Sequence, residues 1–252
     1  MSLRRSIFAA ACFLGMFSAQ AQEGSQRPDT NGWQVGAIAL VRNGGYIDDA
    51  NRTLVVPAVG YEGKNVFFRG LQLGWHAWRQ EGLQLDVVAQ ARLEGFSARN
   101  IPIAGLYSRR ESMDVGAVLT LSGDVGKLEF TALTDALDRS GGQELALTYG
   151  YPFTAGRVRI TPKVGVRWWS SDLADYYYGI RPAEVARGAP TVYTASNAVV
   201  PEVGVNVIVP LSRRWGLWGA LRYQRLPSEI SSSPLVSKSS ASTLLVGVSY
   251  AF

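Results

Sequence analysis

The chain has 252 residues, 47% of them hydrophobic, and carries 25 Lys and Arg against 20 Asp and Glu, a formal charge of +5. The basic residues form no long runs, which excludes nucleic acid as a partner. Beyond the amino-terminal segment no stretch approaches about 18 uninterrupted apolar residues, which excludes a protein that crosses a membrane with helices.

Residues 1–21 predict a cleaved secretory signal peptide. Two arginines precede an apolar stretch at residues 7–17, and Ala19 and Ala21 are small residues at the two positions that a signal peptidase reads. The apolar stretch is well short of the roughly 20 residues that a transmembrane helix needs. Cleavage after Ala21 also removes Cys12, the only cysteine, so the mature chain has no disulfide, thiol nucleophile or sulfur ligand for a metal.

After a short polar leader at residues 22–32, apolar or aromatic side chains recur at every second position. In residues 83–93, for example, the odd-numbered side chains are all apolar and the even-numbered ones are mostly polar. This alternation over about 9 to 11 residues is typical of a tilted transmembrane β-strand, with one face toward lipid and the other toward a polar lumen. The segments with this pattern are residues 33–41, 54–61, 66–78, 83–93, 113–121, 125–136, 145–151, 157–169, 199–209, 215–223 and 243–252.

The connections between these segments alternate between short and long, as in outer-membrane barrels, which pair short periplasmic turns with long external loops. Such barrels usually have an even number of strands, whereas the segments above number eleven. An even count requires residues 65–79 to turn near Arg69 and Gly70, although each half is then short for a bilayer crossing. We therefore predict an all-β fold in which residues 33–252 form one transmembrane antiparallel barrel of about twelve strands, with ten as the alternative.

The carboxyl-terminal strand is apolar at alternate positions and ends on an aromatic residue, a pattern typical of the closing strand of an outer-membrane barrel. Val248, Tyr250 and Phe252 lie on this apolar face. We predict that they form the signal by which the barrel-insertion machinery recognises the chain. We also predict that residues 244–252 pair with residues 33–41, so that no sheet edge faces lipid. The protein is therefore expected in the outer membrane of a Gram-negative cell, in contact with its lipid.

Candidate catalytic residues are few. His76 is the only histidine, and it alternates with Trp75, so we expect it in the lumen or at the rim. A general base needs a positioned nucleophile and an orienting carboxylate, and the sequence indicates neither. One histidine without a cysteine in the mature chain leaves no recognisable spacing for a transition metal. We expect no catalytic residue, metal site or cofactor, and hence no enzyme.

One predicted strand carries basic residues at alternate positions, which places them on the lumen face. This predicted cation ladder consists of Arg157, Arg159, Lys163 and Arg167. Acidic residues on other strands could pair with the ladder and stiffen the barrel, whereas an unpaired ladder would make an anion-attracting pore. Similar numbers of acids and bases favour the paired lumen.

The longest predicted loop, at residues 170–198, contains three consecutive tyrosines, Tyr176, Tyr177 and Tyr178, followed by Gly179. Two interpretations remain open. The tyrosines could form a surface that binds a protein or a glycan by stacking, or the aromatic residues could belong to an aromatic girdle and to a loop that folds into the barrel mouth.

Several strings of residues resemble the MipA/OmpV family over most of the mature chain. They are Pro57 and Tyr61, Phe67-Phe68-Arg69-Gly70 with Gly74, Asp175-Tyr176-Tyr177-Tyr178-Gly179-Ile180, and Ser233-Pro234-Leu235-Val236. The resemblance implies an outer-membrane barrel. For the name-giving member it implies a scaffold that joins a lytic murein transglycosylase to a bifunctional penicillin-binding protein.

We therefore predict a non-enzymatic scaffold for peptidoglycan synthesis and remodelling, with those two enzymes as the implied partners. The alternative that the residues themselves motivate is a passive pore or a surface-contact protein. It rests on the cation ladder and the aromatic loop.

Overall fold

The computed structural model describes residues 32–47, 52–92 and 94–252, and only the backbone of Arg52. The predicted signal peptide at residues 1–21 and the leader up to residue 31 lie outside the described residues. Within the described ranges no helix combines the length and the apolar character needed to cross a bilayer.

Antiparallel strands form one sheet whose last strand pairs with its first, which closes a barrel of twelve strands. The short β9 pairs with β10 in continuation of β8, so β8 and β9 count as one of the twelve. The strands are β1 (Gly32–Asn43), β2 (Arg52–Glu62), β3 (Val66–Arg69), β4 (Gln72–Gln80), β5 (Leu83–Arg92), β6 (Ser112–Gly123), β7 (Gly126–Asp135), β8 (Gln143–Gly150), β9 (Phe153–Ala155), β10 (Val158–Trp169), β11 (Ala198–Pro210), β12 (Trp215–Arg225) and β13 (Ser240–Ala251).

The predicted alternation of short and long connections is confirmed. One end of the barrel carries the short turns at residues 63–65, 81–82, 124–125, 156–157 and 211–214. The other end carries most of the long loops and the helices α1 (Ser171–Tyr178), α2 (Pro182–Val185) and α3 (Ser228–Ser231), with a 3₁₀ turn at Ala98–Asn100. Because outer-membrane barrels have short turns in the periplasm, the first end is the periplasmic one and the second is the outer one.

The predicted closing pair is also confirmed. The register runs from Gln34 opposite Ala251 to Asn43 opposite Ser242, and the Phe252 amide donates to the Trp33 carbonyl at 3.3 Å. Alternation places the apolar side of both strands toward lipid. Aromatic rings gather on this side near the periplasmic end, as expected of an interfacial girdle. Their centroids are 5.1 Å apart for Trp33 and Tyr61, 5.1 Å for Trp215 and Tyr250, and 5.2 Å for Tyr250 and Phe252.

The irregular early hairpin exists, which confirms twelve strands and makes the alternative of ten wrong. Strand β3 has only four residues, and the chain turns after it at Gly70, whose φ is +66°. On β2, strand β3 pairs only with Gly60–Glu62. Among the described residues, β2 therefore pairs from Thr53 to Ala58 on one side alone, with β1. The prediction that no sheet edge faces lipid is wrong for this stretch, because β3 is too short to reach it.

The short hairpin is fixed by Phe67, which points into the barrel and is 1% exposed. Its ring lies against Gly74 on the neighbouring strand, where an added Cβ would approach the Phe67 Cζ to 2.0 Å. The Arg69 guanidinium lies 3.9 Å from the same ring centroid and donates from Nε to Glu62 at 2.9 Å. Phe67, Arg69 and Gly74, which all belong to the strings of the family resemblance, therefore pack together.

We expect Gly74→Ala to destabilise the barrel by about 1–3 kcal/mol, because the new methyl group overlaps the Phe67 ring and forces it out of place. The urea midpoint of the refolded barrel in detergent micelles measures the effect. Gly123→Ala is the matched control, since an added Cβ at Gly123 meets nothing within 4 Å. Equal midpoints for the two variants would contradict this account of the hairpin.

Candidate functional site

The largest apolar cluster of the described residues lies at the outer mouth, where the long loops fold over the lumen. Ser170 caps the amino-terminal end of helix α1, since its Oγ accepts a hydrogen bond from the Leu173 amide at 3.4 Å, and Gly179 caps the other end. We call the apolar cluster at the outer mouth the plug. Its buried members are Tyr46, Phe96, Ile101, Leu106, Trp169, Leu173, Ala174, Tyr177, Tyr178, Ile180, Ala189, Ala195, Ala198, Val200, Leu226, Ile230, Leu235 and Ala241.

Two of the three consecutive tyrosines belong to the plug. Tyr177 is 2% exposed and Tyr178 is 3% exposed. Tyr178 stacks between Tyr46, with centroids 5.2 Å apart, and Trp169, with centroids 6.2 Å apart. Only Tyr176 is partly buried. The rings of Tyr177 and Tyr178 are therefore inaccessible for stacking on a ligand, and the geometry is that of a loop folded into the barrel mouth.

The string around Ser233 packs against the tyrosines. Ser233 donates from its hydroxyl to the Tyr178 carbonyl at 2.6 Å, and the Ile47 amide donates to the Leu235 carbonyl at 2.9 Å. Leu235 is fully buried. Two of the strings that carry the family resemblance thus meet inside the plug, where they join three outer loops.

A buried ion pair joins the loop at residues 94–111 to the loop that carries α2. Arg109 and Glu184 are 3% and 0% exposed. The guanidinium donates from Nη1 and Nη2 to the two Glu184 carboxylate oxygens at 2.8 and 2.9 Å, and also to the Tyr176 and Gly179 carbonyls at 2.6 and 3.0 Å. The carboxylate also accepts from the Tyr107 amide at 2.7 Å. We call this arrangement the loop clamp.

The loop clamp makes the plug sensitive to acid. Burial alone would raise the pKa of Glu184, but hydrogen bonds from the Arg109 side chain and from the Arg181 and Tyr107 amides lower it to about 2. A lowered pKa in the folded state gives stability that is complete above the unfolded value of 4.5 and is lost as the pH falls toward 2.

We expect the plug to loosen between about pH 4.5 and pH 2, because protonating Glu184 removes the charge that holds Arg109. Conductance in planar bilayers, recorded as the pH is lowered, should rise over that window. In Glu184→Gln the rise over the same window should be smaller, since this variant cannot titrate there. An unchanged pH profile in Glu184→Gln would assign the effect to other groups.

Below the plug, a network of ion pairs runs from strand to strand along the inner face of the barrel wall. Arg92 donates from Nε to Asp114 at 2.7 Å and from Nη2 to Glu144 at 2.9 Å. Arg167 donates to the other oxygen of Glu144 and, from Nε, to Glu202 at 2.9 Å. We call these five residues the lumen network. Their mutual charge-assisted hydrogen bonds offset the cost of burying charge and link strands β5, β6, β8, β10 and β11.

The predicted cation ladder is found only in part. Arg159, Lys163 and Arg167 lie on the lumen face of β10, but Arg157 lies in the exposed turn before the strand begins. Arg157 therefore does not line the lumen, because the strand starts one residue later than the alternation suggested. Arg167 is paired with acids, as the paired-lumen interpretation requires for that position.

His76 points into the lumen and is 7% exposed. Its Nδ1 lies 2.6 Å from an Asp86 oxygen, and its Nε2 lies 3.1 Å from a Glu62 oxygen. Sequence reasoning missed both carboxylates, since they come from β5 and β2. Both ring nitrogens contact acids or the Gln84 amide, and none of these partners is a hydroxyl or thiol that His76 could deprotonate as a general base. Within the described ranges, no group of three or more His, Cys, Asp or Glu residues could hold a metal ion.

The sequence is similar to those of known outer-membrane proteins. A family model described as MltA-interacting protein MipA matches residues 35–252. The MltA-interacting protein of Escherichia coli strain K12 is 30% identical over 200 residues, which cover 78% of this chain and 81% of that protein. Outer membrane protein Omp26La of Vibrio anguillarum is 28% identical over 154 residues, which cover 60% of this chain and 57% of that protein.

Among solved structures, the translocator domain of the autotransporter NalP from Neisseria meningitidis superposes with a TM-score of 0.51. It is 12% identical, and the superposition covers 95% of this chain and 93% of that one. A likeness at this level of identity concerns the fold, which is an outer-membrane barrel in both.

Proposed function

The chain belongs to the MipA family of outer-membrane proteins, and from that premise we propose that it is a non-enzymatic scaffold for peptidoglycan-remodelling enzymes at the inner surface of the outer membrane. The observation that carries the proposal is its similarity to a relative named for interaction with MltA. The partners proposed for this chain are a murein transglycosylase and a penicillin-binding protein.

The surface available to such partners is the periplasmic rim. Arg159 on β10 pairs with Ile208 on β11. The turn at residues 156–157, which precedes β10, and the turn at residues 211–214, which follows β11, are therefore neighbours. Arg157 and Arg213 are exposed in these adjacent turns. They give the rim a basic patch that suits an acidic surface on a partner.

The test is copurification from crosslinked envelopes of a strain that expresses the protein. We expect recovery of a murein transglycosylase and a penicillin-binding protein above the level of an unrelated barrel. Recovery should fall in an Arg157→Glu/Arg213→Glu variant. Arg139→Glu, which changes an exposed charge at the outer end, is the control and should leave recovery intact. Recovery no higher than that of the unrelated barrel would refute the scaffold.

The alternative of a passive pore has less support, because the plug covers the outer mouth and the lumen network narrows the interior. Catalysis also lacks support, since the partners of His76 include no hydroxyl or thiol for it to activate.

A further inference from the structure

Four arginines are exposed on the two outer loops that the loop clamp joins. Within residues 95–110 and 179–197 the only acid is Glu184, which is buried and paired with Arg109. None of the four exposed arginines forms an ion pair within the described residues. The two loops therefore present positive charge that no acid of their own neutralises. We call these four residues the arginine patch: Arg99, Arg110, Arg181 and Arg187.

The arginine patch is held together because the two loops pack against each other. An added Cβ at Gly105 would lie 2.7 Å from the Arg187 carbonyl, so the backbones touch at this point. The Arg110 amide donates to the Tyr176 hydroxyl at 3.1 Å, and the Arg181 guanidinium lies 5.8 Å from the centroid of the Tyr176 ring. Tyr176 thus places Arg110 beside Arg181, although the two arginines come from different loops.

The remaining arginine, Arg99, belongs to the 3₁₀ turn of the first loop. The Ala98 amide donates to the Ser108 hydroxyl at 2.9 Å, and Phe96 forms an antiparallel bridge with Arg109. These contacts fold the loop back on itself. Arg99 is therefore kept close to the part of the loop that precedes Arg110.

Aromatic rings position two of the arginines without using their hydrogen-bond donors. The Arg187 guanidinium lies 4.8 Å from the centroid of the Tyr107 ring, and Arg181 lies over Tyr176 as described. A guanidinium stacks on a ring through its face, whereas its N–H groups point outward in its own plane. Since no carboxylate of the described residues pairs with Arg181 or Arg187, these N–H groups can bind an external anion.

The exposed acids on the same elements are fewer than the arginines. They are Glu111 and Asp172. Glu94 and Asp175 are only partly exposed, and the Asp175 carboxylate accepts a hydrogen bond from the Ala195 amide at 2.9 Å. The arginine patch therefore keeps a positive potential, which attracts anions.

The arginine patch reaches the rim of the barrel, where lipid headgroups lie. Arg110 is two positions before Ser112, the first residue of β6. The next residue, Met113, is on the lipid face and is 40% exposed, so Arg110 lies within about 10 Å of the apolar surface at the usual rise of a strand. This end of the barrel faces the outer leaflet, whose lipid in a Gram-negative cell is lipopolysaccharide. The sugars of that lipid carry phosphate groups.

We propose that the arginine patch binds the phosphorylated sugar headgroup of the lipopolysaccharide that surrounds the barrel. Arg110 and Arg181 bind one phosphate at the rim through paired N–H to oxygen hydrogen bonds, which the planar guanidinium favours. The bound headgroup connects the two loops from outside, as the loop clamp connects them from inside. This site is independent of the proposed scaffold, whose partners contact the periplasmic rim.

The test uses isothermal titration calorimetry on the protein in detergent micelles, with empty micelles as the blank. The probe is lipopolysaccharide truncated to lipid A and its inner-core sugars, before and after enzymatic removal of its phosphates. We expect the phosphorylated probe to bind above the blank and the dephosphorylated probe to bind about tenfold more weakly or less. Phosphatidylglycerol, whose headgroup has one phosphate and no sugar, should also bind more weakly. Equal binding of the phosphorylated probe and either of the other two lipids would overturn the proposal.

Variants test whether the arginine patch is the site. Arg110→Gln/Arg181→Gln should weaken binding of the phosphorylated probe by about tenfold or more. Arg139→Gln/Lys238→Gln removes the same charge from exposed outer positions outside the patch and should leave binding unchanged. Equal losses in the two double variants would refute the patch as the site. Heat-modifiable migration verifies the fold of each variant, and the comparison of the three lipids on the unaltered protein decides the matter if a variant fails to fold.

Discussion

Replacing Glu184 with Gln at neutral pH is expected to open the outer mouth and raise the ion conductance of the barrel. Arg109 and Glu184 are buried, and each makes further hydrogen bonds to the loop backbone. Removing the negative charge leaves the Arg109 guanidinium buried without its counterion. Breaking one side of a buried ion pair costs about 3–5 kcal/mol.

This loss of stability concerns the plug and not the barrel wall, because both partners of the loop clamp lie in outer loops. Elements with local contacts can open without global unfolding. A loss of about 3 kcal/mol would raise the open population by roughly a hundredfold, since each 1.4 kcal/mol is a factor of ten.

Single-channel recording in planar bilayers measures the open population directly. Arg99→Gln is the matched control, because Arg99 is exposed in the same loop as Arg109. We expect long conducting events in Glu184→Gln and rare ones in Arg99→Gln and in the unaltered protein. Identical conductance in all three, with equal resistance of the loops to protease, would show that the loop clamp does not hold the plug.

Deleting Phe252 is expected to abolish insertion into the outer membrane while removing little stability. Phe252 is 76% exposed and lies beyond Ala251, the last residue paired with β1. Its deletion removes one backbone hydrogen bond to Trp33, worth about 0.5–1.5 kcal/mol, and the ring contact with Tyr250. A large loss of insertion would therefore report on recognition by the insertion machinery.

The measurement is the amount of heat-modifiable barrel in outer-membrane fractions, which we expect to fall at least tenfold. Phe252→Tyr keeps a terminal aromatic ring and should insert normally. Refolding of the deleted chain in detergent should proceed with nearly unchanged stability. Normal amounts of folded barrel in the membrane after the deletion would refute the role of Phe252 as a signal.

The barrel wall was predictable because two-residue alternation is a local property with a geometric meaning. It places Val248 and Tyr250 toward lipid, and it gives the pairing of residues 244–252 with residues 33–41 that the register confirms. The turn at Gly70 followed from the requirement for an even number of strands, although nothing in the local pattern marks it.

The plug and the lumen contacts were not predictable in the same way. Arg109 and Glu184 lie in irregular loops without periodicity, and their pairing joins residues 75 positions apart. The carboxylates around His76 come from other strands, so their position depends on register between strands, which one sequence leaves open.

The four-residue length of β3 has a consequence for the integrity of the wall. In the part of the chain that the structure describes, β2 is a sheet edge from Thr53 to Ala58, and such edges recruit strands from other molecules. Pro57 lies in the middle of this stretch and has no amide hydrogen to offer an incoming strand. Pro57 therefore disfavours β-augmentation at this edge of β2. The barrel wall opens laterally most easily between this edge and the short β3 hairpin.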